Sequence, residues 1–364
     1  MEPVKIPFYA KASLIFIGMF AFISMLYIAQ KIILPIIFSV IIAIVMSPLV
    51  DFLVRKKFNR VFAIFTALII VGCVTFSCIF TISTQLSIFG QSFPQFIDKL
   101  YLSLDNTVLW IADNSSISAQ KCNEFIAYSK NEILNLGKSS IGATISSIGD
   151  MIIILVLIPV YVFMFLFYRP LLLDFIRSVF GEVHQVEVNA VLNSTKRIVQ
   201  QYLIALLFEA IIVAILNTSG LLIIGIDHAI ILGIIGALLN IIPYIGGIIA
   251  VSLPMIVAYT TKSSPSFALL VLLLYGVIQF IDNNYIIPKL VASKVKINAL
   301  VSIVVVIAGS ALWGIPGMFL SIPLTAIIKV IFDHIEQLKP WGLLLGDTLP
   351  KITIFKIKLN YKKS

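Results

Sequence analysis

Charge is scarce in this chain. Only 12% of its 364 residues are Asp, Glu, Lys or Arg, about half the share of a soluble domain. With 60% hydrophobic residues and a mean hydropathy of +1.08, most of the surface must face something other than water. Cysteine is nearly absent: Cys73, Cys78 and Cys122 form an odd set, two of them in one apolar run, which argues against a disulfide framework or a zinc site. The three histidines, His184, His228 and His334, stand singly, and no H-E-x-x-H, G-x-S-x-G or Walker A pattern occurs. Those absences remove the usual signatures of intramembrane metalloproteases, serine hydrolases and nucleotide hydrolases. Gly346-Asp347 is an isolated dipeptide beyond the last apolar region. The expectation is a protein that is not an enzyme and uses no cofactor. Alternation of polar and apolar residues in pieces of about ten, the mark of an outer-membrane barrel, is also missing.

What the chain has instead is a series of long apolar runs. Five ordinary spans fall at about 13–30, 32–50, 61–84, 151–168 and 203–226, each near the ~20 residues needed to cross ~30 Å of hydrocarbon. The fold class is an all-α polytopic membrane protein. The run from Leu14 to Ile28 is followed by no A-x-A-like cleavage site and reads as a retained span. Lys5 and Lys11 precede the first span, Arg55, Lys56, Lys57 and Arg60 fill the second loop, and Arg169, Arg177, Lys196 and Arg197 follow the fourth. These share one side if the N-terminus is cytoplasmic, with Lys31 left in the opposite short loop. From Lys339 onward six lysines face only Asp347. Such a tail suits a cytoplasmic anionic lipid surface and gives no reason to invoke nucleic acid.

Two polar stretches interrupt the spans. Between Gly90 and Gly149, the residues Phe93, Phe96, Ile97, Leu100, Leu104, Val108 and Ile111 recur at helical spacing, predicting an amphipathic helix, with a second over Cys122 to Leu136. This insertion is expected outside the cytoplasm. Glu182 to Gln201 reads as a cytoplasmic amphipathic helix. The implied divisions are 1–89, 90–149, 150–202, a transport core at 203–335 and a basic tail at 336–364.

Two further apolar regions are too long for simple spans. His228 to Tyr259 has 32 residues and Asn298 to Phe332 has 35, about 48–52 Å as straight helices. Each is broken near its middle, at Ile242-Pro243-Tyr244-Ile245-Gly246-Gly247 and at Gly314-Ile315-Pro316-Gly317, where proline removes a donor and glycine frees the chain to reverse. Such pieces suit hairpins shielded by protein. As single crossings they would leave Lys289, Lys294 and Lys296 in a short outer loop; as hairpins they return these lysines to the cytoplasmic side and leave Lys262 outside. The charge pattern favours hairpins. About eight membrane segments result, two of them broken or re-entrant. Both breaks open on Ile-Pro, continue through glycine and close on an aliphatic-Pro pair, each after a full span, as in an inverted repeat.

Asn240-Ile241-Ile242-Pro243-Tyr244-Ile245-Gly246-Gly247 resembles the N-x-I-P-Y-x-G element of the AI-2E family of bacterial membrane transporters. Gln279-Phe280-Ile281-Asp282-Asn283-Asn284-Tyr285-Ile286-Ile287-Pro288-Lys289 is similar to that family's Q-x-x-D-N-x-x-x-x-P-K motif, and Gly314 to Pro323 to its G-x-x-G-x-x-x-x-x-P element. The resemblance implies a bacterial inner-membrane transporter, with family members linked to export of the signal autoinducer-2 or to cation/proton antiport, and assembly as a homo-oligomer. Where many members carry His-Pro after the Pro-Lys element, this chain has Lys296-Ile297-Asn298-Ala299.

Candidate pathway residues follow from the cost of polar groups in lipid. Glu209 lies inside the fifth span, where a carboxylate marks a solute or proton path or a structural hydrogen bond. Gln279, Asp282, Asn283 and Asn284 form the densest polar group in any apolar stretch, with Gln279, Asp282 and Asn283 on one helical face. These could coordinate a cation or bind a hydroxylated solute, or form a polar cap before Pro288. Asn240, Pro243, Gly246 and Gly247, with Gly314, Pro316 and Gly317, act through backbone freed at the breaks, or simply make the turns. The expected function is secondary transport of a small polar solute or ion by alternating access, coupled through Glu209 or Asp282. A passive channel and a membrane scaffold without flux are the alternatives.

Overall fold

The computed structural model describes residues 7–114, 156–181, 184–242, 246–262, 264–292 and 295–347. Over these residues the chain is helical, and the only extended pairing is the single bridge between Ile297 and Gly346. Six described helices, the kinked Ala299–His334 counted whole, are long and apolar enough to cross a membrane, or seven with the bent pair Val156–Phe167 and Arg169–Phe180. The all-α polytopic architecture stands.

Helix α1 (Phe8–Ile28) buries no residue, so most of its apolar surface is left for lipid, while Leu26 packs on the cluster of Ile41 and Trp313. A single residue, Ala29, separates it from α2 (Gln30–Arg55). Helix α3 (Arg60–Asn114) runs for 55 residues. The sequence reading separated a span ending near 84 from an amphipathic helix starting near 93, with a division at 89/90; the helix passes through both points unbroken. A fall in hydropathy is not a helix stop signal, and the 3.6-residue period continues across it. At roughly 80 Å this helix is far longer than the hydrocarbon layer. The helix expected over Cys122 to Leu136 lies outside the described residues, as do the tail beyond Asp347, Tyr244 and Pro243.

Helix α4 (Val156–Phe167) turns by 63° into α5 (Arg169–Phe180), with Pro170 in the first turn of α5, where proline's missing donor costs nothing. Helix α6 (Gln185–Ile224) fuses the amphipathic stretch before 201 with the fifth apolar run in one 40-residue rod. It ends at Gly225, whose φ of +78° closes a left-handed cap. Arg169 reaches Asp51 at 3.1 Å and Lys196 reaches the same carboxylate at 3.8 Å, while Arg60 donates to the carbonyl of Leu166 at 2.7 Å. Arg60 at the start of α3, Arg169 at the start of α5 and Lys196 on α6 therefore gather at one end of the bundle.

Both broken regions reverse the chain. Helices α7 (Ala229–Asn240) and α8 (Gly246–Lys262) are about 18 and 26 Å long, and neither crosses a ~30 Å layer alone. A Cβ on Gly246 would overlap the Leu239 carbonyl and approach the Asn240 Cα at 2.7 Å, so the start of α8 lies directly against the end of α7. Lys262 comes back beside Gly225, its Nζ 3.9 Å from where a Cβ would sit. The hairpin thus begins and ends at the same end of α6. Helix α9 (Pro265–Ile281) then runs back and passes into two π-helical turns, Asp282–Ile286 and Pro288–Ala292.

The second reversal lies inside α10 (Ala299–His334), where Trp313 (φ −136°, ψ 15°) and Gly314 (φ +62°, ψ −141°) leave helical geometry. Gly314 occupies a region of φ that only glycine enters readily. Gly309 and Gly317 press backbone against backbone, each so close that a Cβ would overlap the other's carbonyl oxygen. Eight residues apart in one straight helix, they would stand about 12 Å from each other. The arms close at the base, where Asn298 Nδ2 donates to Leu344 and Gly346 at 2.7 and 3.0 Å beside α11 (Lys339–Leu345).

Replacing Gly309 by Val should lower stability by about 1–3 kcal/mol through overpacking, read as a lower thermal midpoint in detergent. Indifference to that change would mean the arms do not meet.

Candidate functional site

Helices α6, α7, α8 and α9 pack as a four-membered bundle around one polar centre. Its apolar support is the buried cluster of Leu221, Ile231, Leu232, Val257 and Val271 with their neighbours. Close approach in it depends on missing side chains: a Cβ on Gly233 would meet the Thr218 backbone nitrogen at 2.7 Å.

At the inner end of the hairpin the polar residues converge. Asn240, the last residue of α7, donates from Nδ2 to Asp282 Oδ2 at 2.8 Å. Asp282 opens the first π-helical turn and is 1% exposed. A π turn has one residue more than an α turn; here it starts at Asp282 and leaves Asn283 and Asn284 exposed. Gln279 donates to Asn283 Oδ1 at 3.2 Å, and Asn284 donates to its own helix at the Phe280 carbonyl at 2.8 Å. Gly247 gives Gln279 room, since a Cβ there would stand 2.7 Å from Oε1. Glu209 is buried on α6, within electrostatic reach of Asp282 and of Tyr202.

Between α6, α7 and α9 lies a space with about 10 Å³ of room for the centre of a water molecule, bordered by Asn217, Gly236, Asn240, Tyr275, Gln279 and Asp282. That is close to the minimum for one water.

The structure therefore joins Glu209, Asn240, Gly246, Gly247, Gln279 and Asp282 in one neighbourhood. Asn283 and Asn284 sit on its outward side, and Pro288 is exposed at the start of the second π turn. The sequence reading put Gly314, Pro316 and Gly317 in the same pathway. They build the tip of the other hairpin, where Trp313 Nε1 donates to the Leu26 carbonyl at 3.0 Å and Phe319 stacks on Phe38; none of them borders the cavity. Two residues of the centre escaped sequence reading, Asn217 and Tyr275. Asn217 lies eight residues beyond Glu209, and Tyr275 four before Gln279, so helical spacing from the known polar residues would have found both.

A family model described as AI-2E family transporter matches residues 14–337. The chain belongs to the AI-2E transporter family. Over 337 residues it is 23% identical to a Bacillus subtilis (strain 168) protein named for transport, YueF, covering 90% of this chain and 89% of that one. It is 25% identical to a protein of Borreliella burgdorferi also named for transport, covering 92% and 88%. Against the Escherichia coli (strain K12) AI-2 transport protein TqsA it is 24% identical, covering 88% and 90%. Membership of this family makes the chain a transport protein of the membrane, and the match spans both hairpins.

Asn240→Leu leaves the buried Asp282 carboxylate without its donor and should destabilise the protein by about 1–3 kcal/mol. In an Asp282→Leu background the same change should cost much less. A double-mutant cycle of thermal unfolding measures this, and additive effects would show that the two side chains do not act as a pair.

Proposed function

We propose that the chain is a secondary transporter of the bacterial inner membrane, moving a small polar solute or ion by alternating access. The observation that carries this is the contact of Asn240 with the buried Asp282 at the inner end of the α7–α8 hairpin. Polar groups in the apolar layer are costly and mark pathways by default, and discontinuous helices are where transporters hold solutes. In this reading both termini are cytoplasmic. The α7–α8 hairpin enters from outside, and the α10 hairpin enters from the cytoplasmic side. Glu209 and Asp282 are the groups through which a coupling ion acts. Exchange of access requires the hairpin tip to part from the end of α9 on one side at a time.

The name of the Escherichia coli relative suggests autoinducer-2 as one solute to try, with simple cations beside it. A passive channel has less support, because the space at the hairpin tip has room for one water and no more.

Purified protein in liposomes should give flux of such a solute that depends on a proton or Na⁺ gradient, and Asp282→Ala should abolish it by at least tenfold while the protein stays folded. Equal flux in the two proteins would move the pathway away from α9. Absence of flux for every solute, with Asp282→Ala tolerated, would favour the scaffold reading instead.

A further inference from the structure

The end of the bundle where Arg60, Arg169 and Lys196 gather holds two adjoining cavities. One, of about 300 Å³, lies among Asp51, Arg60, Asp174 and the start of α5. The other, of about 290 Å³, lies between α2, α5 and α6. Arg169 and Arg177 line both, and neither cavity shares a lining residue with the space beside Asp282. We propose that the second cavity binds one anionic phospholipid, with its phosphate held by Arg169, Arg177 and Lys196 and an acyl chain laid along the apolar wall.

Charge identifies the headgroup. Arg169, Arg177 and Lys196 border the second cavity, and no carboxylate does. Over both cavities, Arg60, Arg169, Arg177 and Lys196 face only Asp51 and Asp174, which leaves a surplus of positive charge. Donors are left over as well. Among the described residues the Arg169 guanidinium donates through Nη1 alone, to the two oxygens of Asp51 at 3.1 and 3.2 Å. Arg177 donates from Nε to Asn189 and from Nη1 to Asp174, both at 3.0 Å. Each arginine keeps Nη2 for a phosphate oxygen, and Arg169 keeps Nε beside it, the paired geometry by which guanidinium groups hold phosphate. Lys196 stands 3.8 Å from Asp51, so Arg169 and Lys196 already hold one anionic group between them.

The surroundings identify the rest of the ligand. Val40, Ala43, Ile44, Leu172, Ile176 and Leu192 make the remaining wall apolar, and a hydrated anion such as free phosphate would leave that wall unused. Helix α5, which turns by 63° from α4, closes one side of the cavity. Leu171, Phe175 and Val179 lie four residues apart on it and are 63%, 64% and 62% exposed, while Leu173, Ile176 and Arg177 line the cavity. An amphipathic helix of this kind rests in the boundary between headgroups and acyl chains. Its arginines then stand at headgroup depth, where basic pockets between spans take anionic lipids. A lipid bound there would join α5 to α2 and α6.

Equilibrium binding of radiolabelled phosphatidylglycerol to the detergent-purified full chain tests the site. Saturable binding is expected, displaced about tenfold better by unlabelled phosphatidylglycerol than by phosphatidylcholine. Inorganic phosphate and the headgroup without acyl chains should fail to compete; displacement by either would make the cavity a free-anion site and overturn the lipid assignment. Arg169→Gln and Lys196→Gln should each weaken half-saturation about tenfold. Arg55→Gln removes one positive charge a turn beyond Asp51 and outside both cavities, and should leave binding unchanged. Asp51→Asn breaks the same ion pair as Arg169→Gln but removes a competitor for the cations, so it should tighten binding about twofold. If Asp51→Asn instead weakens binding as much as Arg169→Gln does, the cations only hold the helices together and the proposal falls. Equal displacement by phosphatidylcholine, or native binding in both cavity variants, would contradict it as well.

Discussion

A helix that stops inside an apolar layer leaves its last carbonyls and its turn without water to satisfy them, and the hydrogen bond from Asn240 to Asp282 lies at such a stop. It joins the end of α7 to the end of α9 where the first hairpin reverses and the second helix changes to π geometry. Around it the protein collects the polar residues that its composition otherwise withholds: Glu209, Asn217, Tyr275 and Gln279. The glycines at 233, 236, 246 and 247 serve the same constraint, because each lets a backbone or polar group approach where a side chain would collide. Removing the polar centre would leave the reversal supported by apolar packing alone, with its backbone polar groups short of partners.

The two hairpins solve the same problem differently. The first is stabilised at its inner end by polar side chains from α9. The second is stabilised by apolar packing, with Trp313 bonded to the Leu26 carbonyl and Phe319 stacked on Phe38. Leu320 and Val199 complete that cluster with Ile41. The likeness of the two Ile-Pro–Gly segments in sequence reflects a shared backbone need and not a shared chemistry. The polar tip faces the candidate site, and the apolar tip docks on the α1–α2 corner.

Much of this was legible before the structure. Excess length, a proline and glycine near the middle and the positions of Lys262 and Lys289 were enough to expect reversal at both regions, because each signal has a direct steric or electrostatic meaning. Glu209, Gln279 and Asp282 stood out as costly residues in apolar runs. Other features were hidden. The continuity of α3 and α6 could not be read from hydropathy, since a helix carries on through a polar boundary unless something stops it. Asn217 and Tyr275 were passed over because an isolated amide or phenol in an apolar helix stands out only once it is counted at helical spacing from Glu209 and Gln279. The separation of Gly314 and Gly317 from Asp282 depends on which helices pack together, which short motifs do not encode.

The central claim is that α7 and α8 return to the side from which they came. It is tested most directly by single cysteines at Asp227 and Lys262, in a background lacking the three native cysteines, labelled with a membrane-impermeant thiol reagent in oriented vesicles. The account predicts that both positions react from the same side, since Gly225 and Lys262 meet at one end of the bundle. Reaction from opposite sides would make 229–262 a crossing segment and would contradict the hairpin on which the site is built.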